Sequence, residues 1–200
     1  MNILLMSTER FIKTTEIIKR RQVKIKIKYS TMRETDKSVF FWSGMYSQWF
    51  ESPFEAEGQK FNCTEQYMMY KKAMLFGDEE VANAVMRTRN PKEQKALGRQ
   101  VRNFDTTIWN QHAIDIVSEG NYQKFKQNPS LSQILLGEHV NKEIVEASPL
   151  DKVWGIGLHF NDEACDDKSK WQGTNWLGIS IMNARERLVE EYKEHKKTIV

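Results

Sequence analysis

Two carboxylates and one ammonium stand in settings where they can act on a bound molecule. Glu65 and Lys72 share the stretch Asn62-Cys63-Thr64-Glu65-Gln66-Tyr67-Met68-Met69-Tyr70-Lys71-Lys72-Ala73, and Asp151 precedes Trp154, Gly155 and Gly157 in Ser148-Pro149-Leu150-Asp151-Lys152-Val153-Trp154-Gly155-Ile156-Gly157. With Thr64 as N-cap and Gly77 at C′, the first stretch predicts a helix from about Glu65 to Phe76. Glu65, Met68 or Met69, Lys72 and Phe76 then fall along one face. Glu65 and Lys72 are separated by about 10 Å along the axis, too far for an ion pair but suited to bracketing a small ligand. The partial positive charge at the helix start favours an ionised Glu65 and holds its pKa down unless burial opposes it. A plainer reading is an amphipathic core helix with wet charged ends. In the second stretch a carboxylate and an indole stand beside two glycines that let a ligand approach the backbone, the plainer reading being a turn with a packed Trp.

Aromatic side chains can supply the walls of a binding site. Val39-Phe40-Phe41-Trp42-Ser43-Gly44-Met45-Tyr46-Ser47-Gln48-Trp49-Phe50 carries more rings than one surface strand needs, so some belong to the core and others can line a pocket for a flat guest such as a purine. The segment predicts a strand running into a loop, and Phe54 to Phe61 predicts a hairpin or tight loop leading into the Glu65 helix.

The elements that must carry these residues are mostly helical. Asp78 caps a helix to about Thr88, and Asn90-Pro91-Lys92-Glu93 starts another to about Arg102. A longer one begins at Asp105 or Thr106 and runs towards Phe125, with Gly120 as a place for a bend. Pro129 ends it and Ser130 begins a short helix. Glu143-Ile144-Val145-Glu146-Ala147 predicts a short strand, His159 to Gln172 a polar, acidic loop or lid, and Thr174-Asn175 the start of a last helix. The expected fold class is mainly α (α+β), a multihelical domain with a few short strands.

Composition sets the outer bounds. The chain has 200 residues, 40% hydrophobic and 28% charged, with a net charge of +3, the composition of a globular protein and too weakly basic overall to imply nucleic-acid binding. No apolar run is long enough for a membrane span. Met1 to Met6 lacks a basic flank and does not read as a signal peptide. Cys63 and Cys165 form no metal-type pair and read as reduced thiols, which places the protein in the cytoplasm or nucleus. Residues 1–36 stand apart as a basic extension in which Val23 to Tyr29 alternates like an edge strand with a lysine face. The other readings are disorder, or a basic arm that touches nucleic acid. Residues 37–195 make the domain, and 196–200 a polar tail.

Three separated blocks carry a family resemblance. Ser47-Gln48-Trp49-Phe50 leading to Cys63-Thr64-Glu65-Gln66-Tyr67-Met68-Met69 with Lys72-Ala73, then Asp151 to Gly157, then Gly173-Thr174-Asn175-Trp176-Leu177-Gly178 with Met182 and Arg185, resemble the NADAR family of N-glycosidases in order and spacing. Gly98-Arg99 and Trp109 agree as well, and the likeness covers roughly residues 38 to 190. Some members carry His where this chain has Gln66. The resemblance implies hydrolysis of the bond between a ribose and a nitrogen base. The substrate would be ADP-ribose attached to guanine in nucleic acid or an early riboflavin-pathway pyrimidine, with no cofactor or metal. It implies catalytic roles for Glu65 and Asp151, with Lys72 binding phosphate or neutralising the leaving group. Trp42, Tyr67 and Trp154 would stack on the base or ribose, Gly155 would give close access, and Asn175 would orient a polar edge. The alternative is a module that binds ADP-ribose or a nucleotide without turning it over. A purely structural helical domain is a third reading.

Overall fold

The computed structural model describes residues 31–198, with side chains through 195. Strand β1 (Met32–Glu34) pairs antiparallel with β2 (Ser38–Phe41), and β2 pairs parallel with the later Glu143–Glu146 strand to complete a three-stranded sheet. A hairpin of β3 (Phe54–Ala56) and β4 (Gln59–Phe61) follows, its two-residue turn formed by Glu57 and Gly58. Both turn residues have positive φ, 52° and 74°, as a hairpin turn matched to strand twist requires. Four helices come next: α1 (Thr64–Leu75), α2 (Glu79–Arg87), α3 (Pro91–Gly98) and the long α4 (Thr106–Gln127). Short α5 (Pro129–Gln133) and a wide π turn (Ile134–Glu138) lead into β5 (Glu143–Glu146), and α6 (Trp176–Thr198) closes the chain. No helix among the described residues is long and apolar enough to cross a membrane. The fold is α+β, dominated by helix.

Local chemistry accounts for most boundaries. Asp78, Asn90 and Asp105 accept hydrogen bonds from the backbone N–H groups of Val81, Lys92 and Ile108, so each side-chain cap starts the helix that the sequence assigns to it. Arg102 binds the Asp78 carboxylate through its guanidinium and its own N–H, and these bonds hold Asp78 well below the usual carboxylate range. The α1 start is different. Cys63 occupies the N-cap without a side-chain bond to the helix N–H groups, and Thr64, expected as the cap, is the first helical residue. Its hydroxyl and the Glu65 N–H both donate to the Gln48 carbonyl, so the main chain of a distant loop supplies the cap.

Two further expectations change. Helix α4 runs unbroken through Gly120, because the Tyr67 ring lies where a side chain would be: a Cβ added there would stand 2.7 Å from Tyr67 Cδ1. The missing side chain admits α1 rather than bending α4. Met32–Glu34, assigned to the basic extension, forms the sheet edge, and Arg33 anchors it by donating to the Phe160 carbonyl and to Asp166. The alternating Val23 to Tyr29 segment lies outside the described residues. At the other end α6 continues to Thr198, into the predicted tail.

One core joins sheet and helices. Val39, Phe41, Met69, Val117, Ile144 and Ile181 are buried in it, and α6 lies across β5. The closest approach is at Gly178, where an added Cβ would collide with the Ile144 carbonyl oxygen and the Asn175 carboxamide. Gly178→Ala is therefore expected to destabilise the domain by about 3 kcal/mol, the upper end of overpacking costs, as a lowered urea midpoint; an unchanged midpoint would show that α6 and β5 separate freely.

Candidate active site

Loops and helix starts from four parts of the chain enclose a cavity of about 450 Å³. The loop after β2 contributes Trp42, Ser43, Ser47, Gln48 and Trp49, and α1 contributes Glu65, Met68 and Met69. Lys95 comes from α3, Glu146 from the end of β5, and Ser148, Leu150, Asp151 and Trp154 from the loop that follows. Its volume lies in the range of small-molecule sites.

Glu65 is 5% exposed at the floor of this space. Burial pushes its pKa up to about 7. The nearby Lys95 ammonium and a hydrogen bond from Trp49 pull it down, and Asp151 raises it further. The helix start favours the anion, but desolvation is the larger effect here. The residue is held from above by its main-chain bond to Gln48.

Glu146 is the carboxyl group that the sequence does not nominate. Burial and then Asp151 push its pKa up to about 8, with Lys95 opposing and Glu65 adding to the rise. Its Oε2 is buried without a hydrogen-bond partner among the described residues, which leaves that oxygen for a ligand or water. Glu146 shares a strand face with Ile144, which is fully buried. A carboxylate two residues after a core isoleucine was the available signal.

The motif residues of the last two blocks converge on Glu146. Asn175, at φ 54°, is buried; its Oδ1 accepts the Glu146 N–H at 2.9 Å and its Nδ2 donates to the Ile144 carbonyl at 3.0 Å. Ile156 N–H donates to the Glu146 carbonyl, and a Cβ on Gly155 would come within 2.8 Å of that oxygen. The carbonyls of residues 152–155 in turn accept the N–H groups of residues 174–177 at the start of α6. Asn175 and Gly155 therefore clamp the strand that carries Glu146 and do not line the cavity.

The other expected residues divide between the cavity and the core. Asp151 lines the cavity while its Oδ1 accepts the Val153 and Trp154 N–H groups and closes the turn. Trp154 packs edge-on against Trp176 and reaches the cavity, and Trp42, 42% exposed, stands at the rim against His159. Tyr67 is packed between Phe54 and Phe61, away from the cavity, so it is a core ring. Lys72 points elsewhere as well: it donates to the Gly98 carbonyl and covers the Phe104 ring, and burial, then Arg99, lowers its pKa. The face predicted for α1 holds through Met68 and Met69 but leaves the site one turn later. Lys95 is the ammonium at the cavity, beside the Trp49 ring.

The acidic loop after Leu158 folds into two short 3-10 turns anchored by buried Cys165 and by the Asp166 pair with Arg33, and it does not line the cavity. Among the described residues no group of three or more His, Cys, Asp and Glu side chains is placed to hold a metal ion.

Comparison with known proteins places this geometry. The chain is 46% identical over 166 residues to N-glycosidase R617 of Acanthamoeba polyphaga mimivirus, covering 76% of this chain and 97% of that protein. It is 40% identical over 145 residues to Protein irg-1 of Caenorhabditis elegans, covering 70% and 68%. It is 26% identical over 148 residues to N-glycosidase YbiA of Escherichia coli K12, covering 74% and 83%. The NMR structure of the E. coli protein YbiA shares the fold, with a TM-score of 0.66 at 24% identity over 82% of this chain and 91% of that one. The NADAR domain model matches residues 38–189, a span that includes every cavity-lining side chain and the Asn175 clamp, and the chain belongs to the NADAR domain family.

Proposed function

We propose that the protein is an N-glycosidase that hydrolyses the bond between a ribose and a nitrogen base, with ADP-ribose attached to guanine in nucleic acid as its substrate class. The observation that carries the reading is the meeting of Glu65, Glu146 and Asp151 with one ammonium and three indoles around a single cavity. Breaking a C1′–N bond builds positive charge on the sugar and negative charge on the base. Ionised Glu65 faces the cationic sugar and takes a proton from the attacking water as its oxygen bonds to C1′. Protonated Glu146 gives its proton to the departing nitrogen, and the C1′–N electron pair leaves with the base. The Glu65 charge adds to the rise of Glu146, which therefore keeps its proton to higher pH than Glu65, so the first serves as base while the second serves as acid. Asp151 holds a ribose hydroxyl, and Trp42, Trp49 and Trp154 stack on rings. That R617 and YbiA are named N-glycosidases supports the reaction class.

The substrate choice rests on the rim and the N-terminus. Trp42, Trp49 and Leu150 are 42%, 45% and 85% exposed at the mouth, an apolar rim that suits a substrate larger than the cavity. The basic residues of the N-terminal extension draw a polyanion. The test incubates the protein separately with ADP-ribosylated DNA and with a riboflavin-pathway pyrimidine glycoside and follows both by mass spectrometry. Release of ADP-ribose that leaves unmodified guanine in the strand is expected. Cleavage of the pyrimidine glycoside alone would move the substrate class, and binding without release from either would make the protein a recognition module.

A further inference from the structure

We infer that Lys124 is a positioning residue of the candidate site, setting the Glu65 end of α1 through the main chain of Ser47 and Gln48. Lys124 lies on the long helix α4 and is fully buried. Its Nζ donates to the Ser47 carbonyl at 3.2 Å, its one hydrogen bond among the described residues. The next carbonyl along, that of Gln48, accepts the Glu65 N–H at 3.0 Å and the Thr64 hydroxyl at 3.2 Å. One turn earlier on α4, Asn121 donates to the Gln48 side chain at 3.3 Å. Two side chains of one helix therefore grip a two-residue strap, and the strap grips the start of the helix that carries Glu65.

A lysine is a poor choice for packing at this place. Phe50 and Phe125 lie within 6 Å of Nζ, and burial drives the amine down to about 7, with the Cys63 thiol the one neighbour that opposes this. A methionine fills similar space without the desolvation cost. Stability alone therefore does not account for an amine here; the bond to Ser47 does. Because Ser47 and Gln48 also line the cavity, loosening them opens the dry floor around Glu65 to water.

The inference rests on the reading of Glu65 given above, and the test separates the two. In Lys124→Met, the Glu65 carboxyl titration is followed by carbon NMR on labelled protein alongside kcat, KM and thermal midpoint. The expected result is a Glu65 titration lowered by one pH unit or more, kcat down at least tenfold, KM within threefold, and a midpoint equal to or above that of the parent chain. Lys124→Gln, which keeps a donor, is expected to recover part of the titration shift and of the rate. A wild-type Glu65 titration in Lys124→Met overturns the inference even if Glu65 proves not to be catalytic. A shifted titration with unchanged turnover upholds the positioning and removes Glu65 from the reaction. Where Lys124→Met fails to fold, Asn121→Ala reads the same strap: a lowered titration supports the inference and a wild-type one overturns it.

Discussion

Glu65→Gln is expected to lower kcat for base release by 10² to 10⁴-fold while leaving the fold and KM close to those of the parent chain. The substitution keeps the shape and the ability to accept the Trp49 hydrogen bond, and removes the anion that faces the cationic sugar and receives the proton of water. General-base catalysis alone accounts for about 10² to 10⁴. The acid limb of the pH profile, set by ionisation of a carboxyl whose pKa is raised to about 7, should vanish with it. Single-turnover kinetics between pH 5 and 9 checks both points, and a variant that retains the parent rate would leave Glu65 a buried structural acid.

Glu146→Gln is the second large effect, and it carries opposite signs for rate and stability. An amide cannot pass a proton to the departing base, so kcat should fall about 10² to 10³-fold and the alkaline limb near pH 8 should disappear. For stability, the folded pKa of about 8 lies above the 4.5 of an ordinary glutamate, so the folded state binds the proton more tightly. The corresponding stabilisation is fully present below about pH 4.5 and is lost as pH rises through 8. Above pH 8 the native state holds a buried anion whose Oε2 has no partner among the described residues. The amide removes that charge, and Glu146→Gln should be more stable than the parent by about 5 kcal/mol at pH 9 and equal to it at pH 4. Urea denaturation at the two pH values checks this. Equal stability at both would mean that water reaches Glu146 in the folded state.

The parts of this fold written in short-range chemistry were legible before the structure. Asp78, Asn90 and Asp105 cap helices because a short polar side chain serves the N–H groups two or three residues on, a relation contained in the sequence itself. Glu65, Asp151, Trp42 and Trp154 could be nominated for the cavity in the same way, from type and local setting. What could not be read depends on distant partners. Thr64 failed as a cap because Gln48 supplies the carbonyl, and Gly120 failed as a bend because Tyr67 fills its notch. Lys95 and Lys72 are alike as residues; only the placement of α3 against α1 decides which one reaches the cavity. Glu146 is hidden in a strand whose two faces are covered by α6 and by the segment from Ile156 to Phe160, and Asn175 reads as a ligand-binding residue because nothing local reveals the strand end that it holds.

The parallel pairing of β2 with β5 joins residues about a hundred positions apart, and Glu146 is the last residue of that register. Closing so long a loop is entropically costly and slow. During synthesis the Gln48 strap and the α1 segment are made well before Glu146, but the second carboxyl group is aligned only once β5 has docked and α6 has closed over it. A chain released before Asn175 and Gly178 would carry the helix, the strap and most of the aromatic wall while lacking the element that fixes Glu146. The site is therefore completed late in folding, and only a chain made through the start of the last helix can hold both of its raised carboxyl groups.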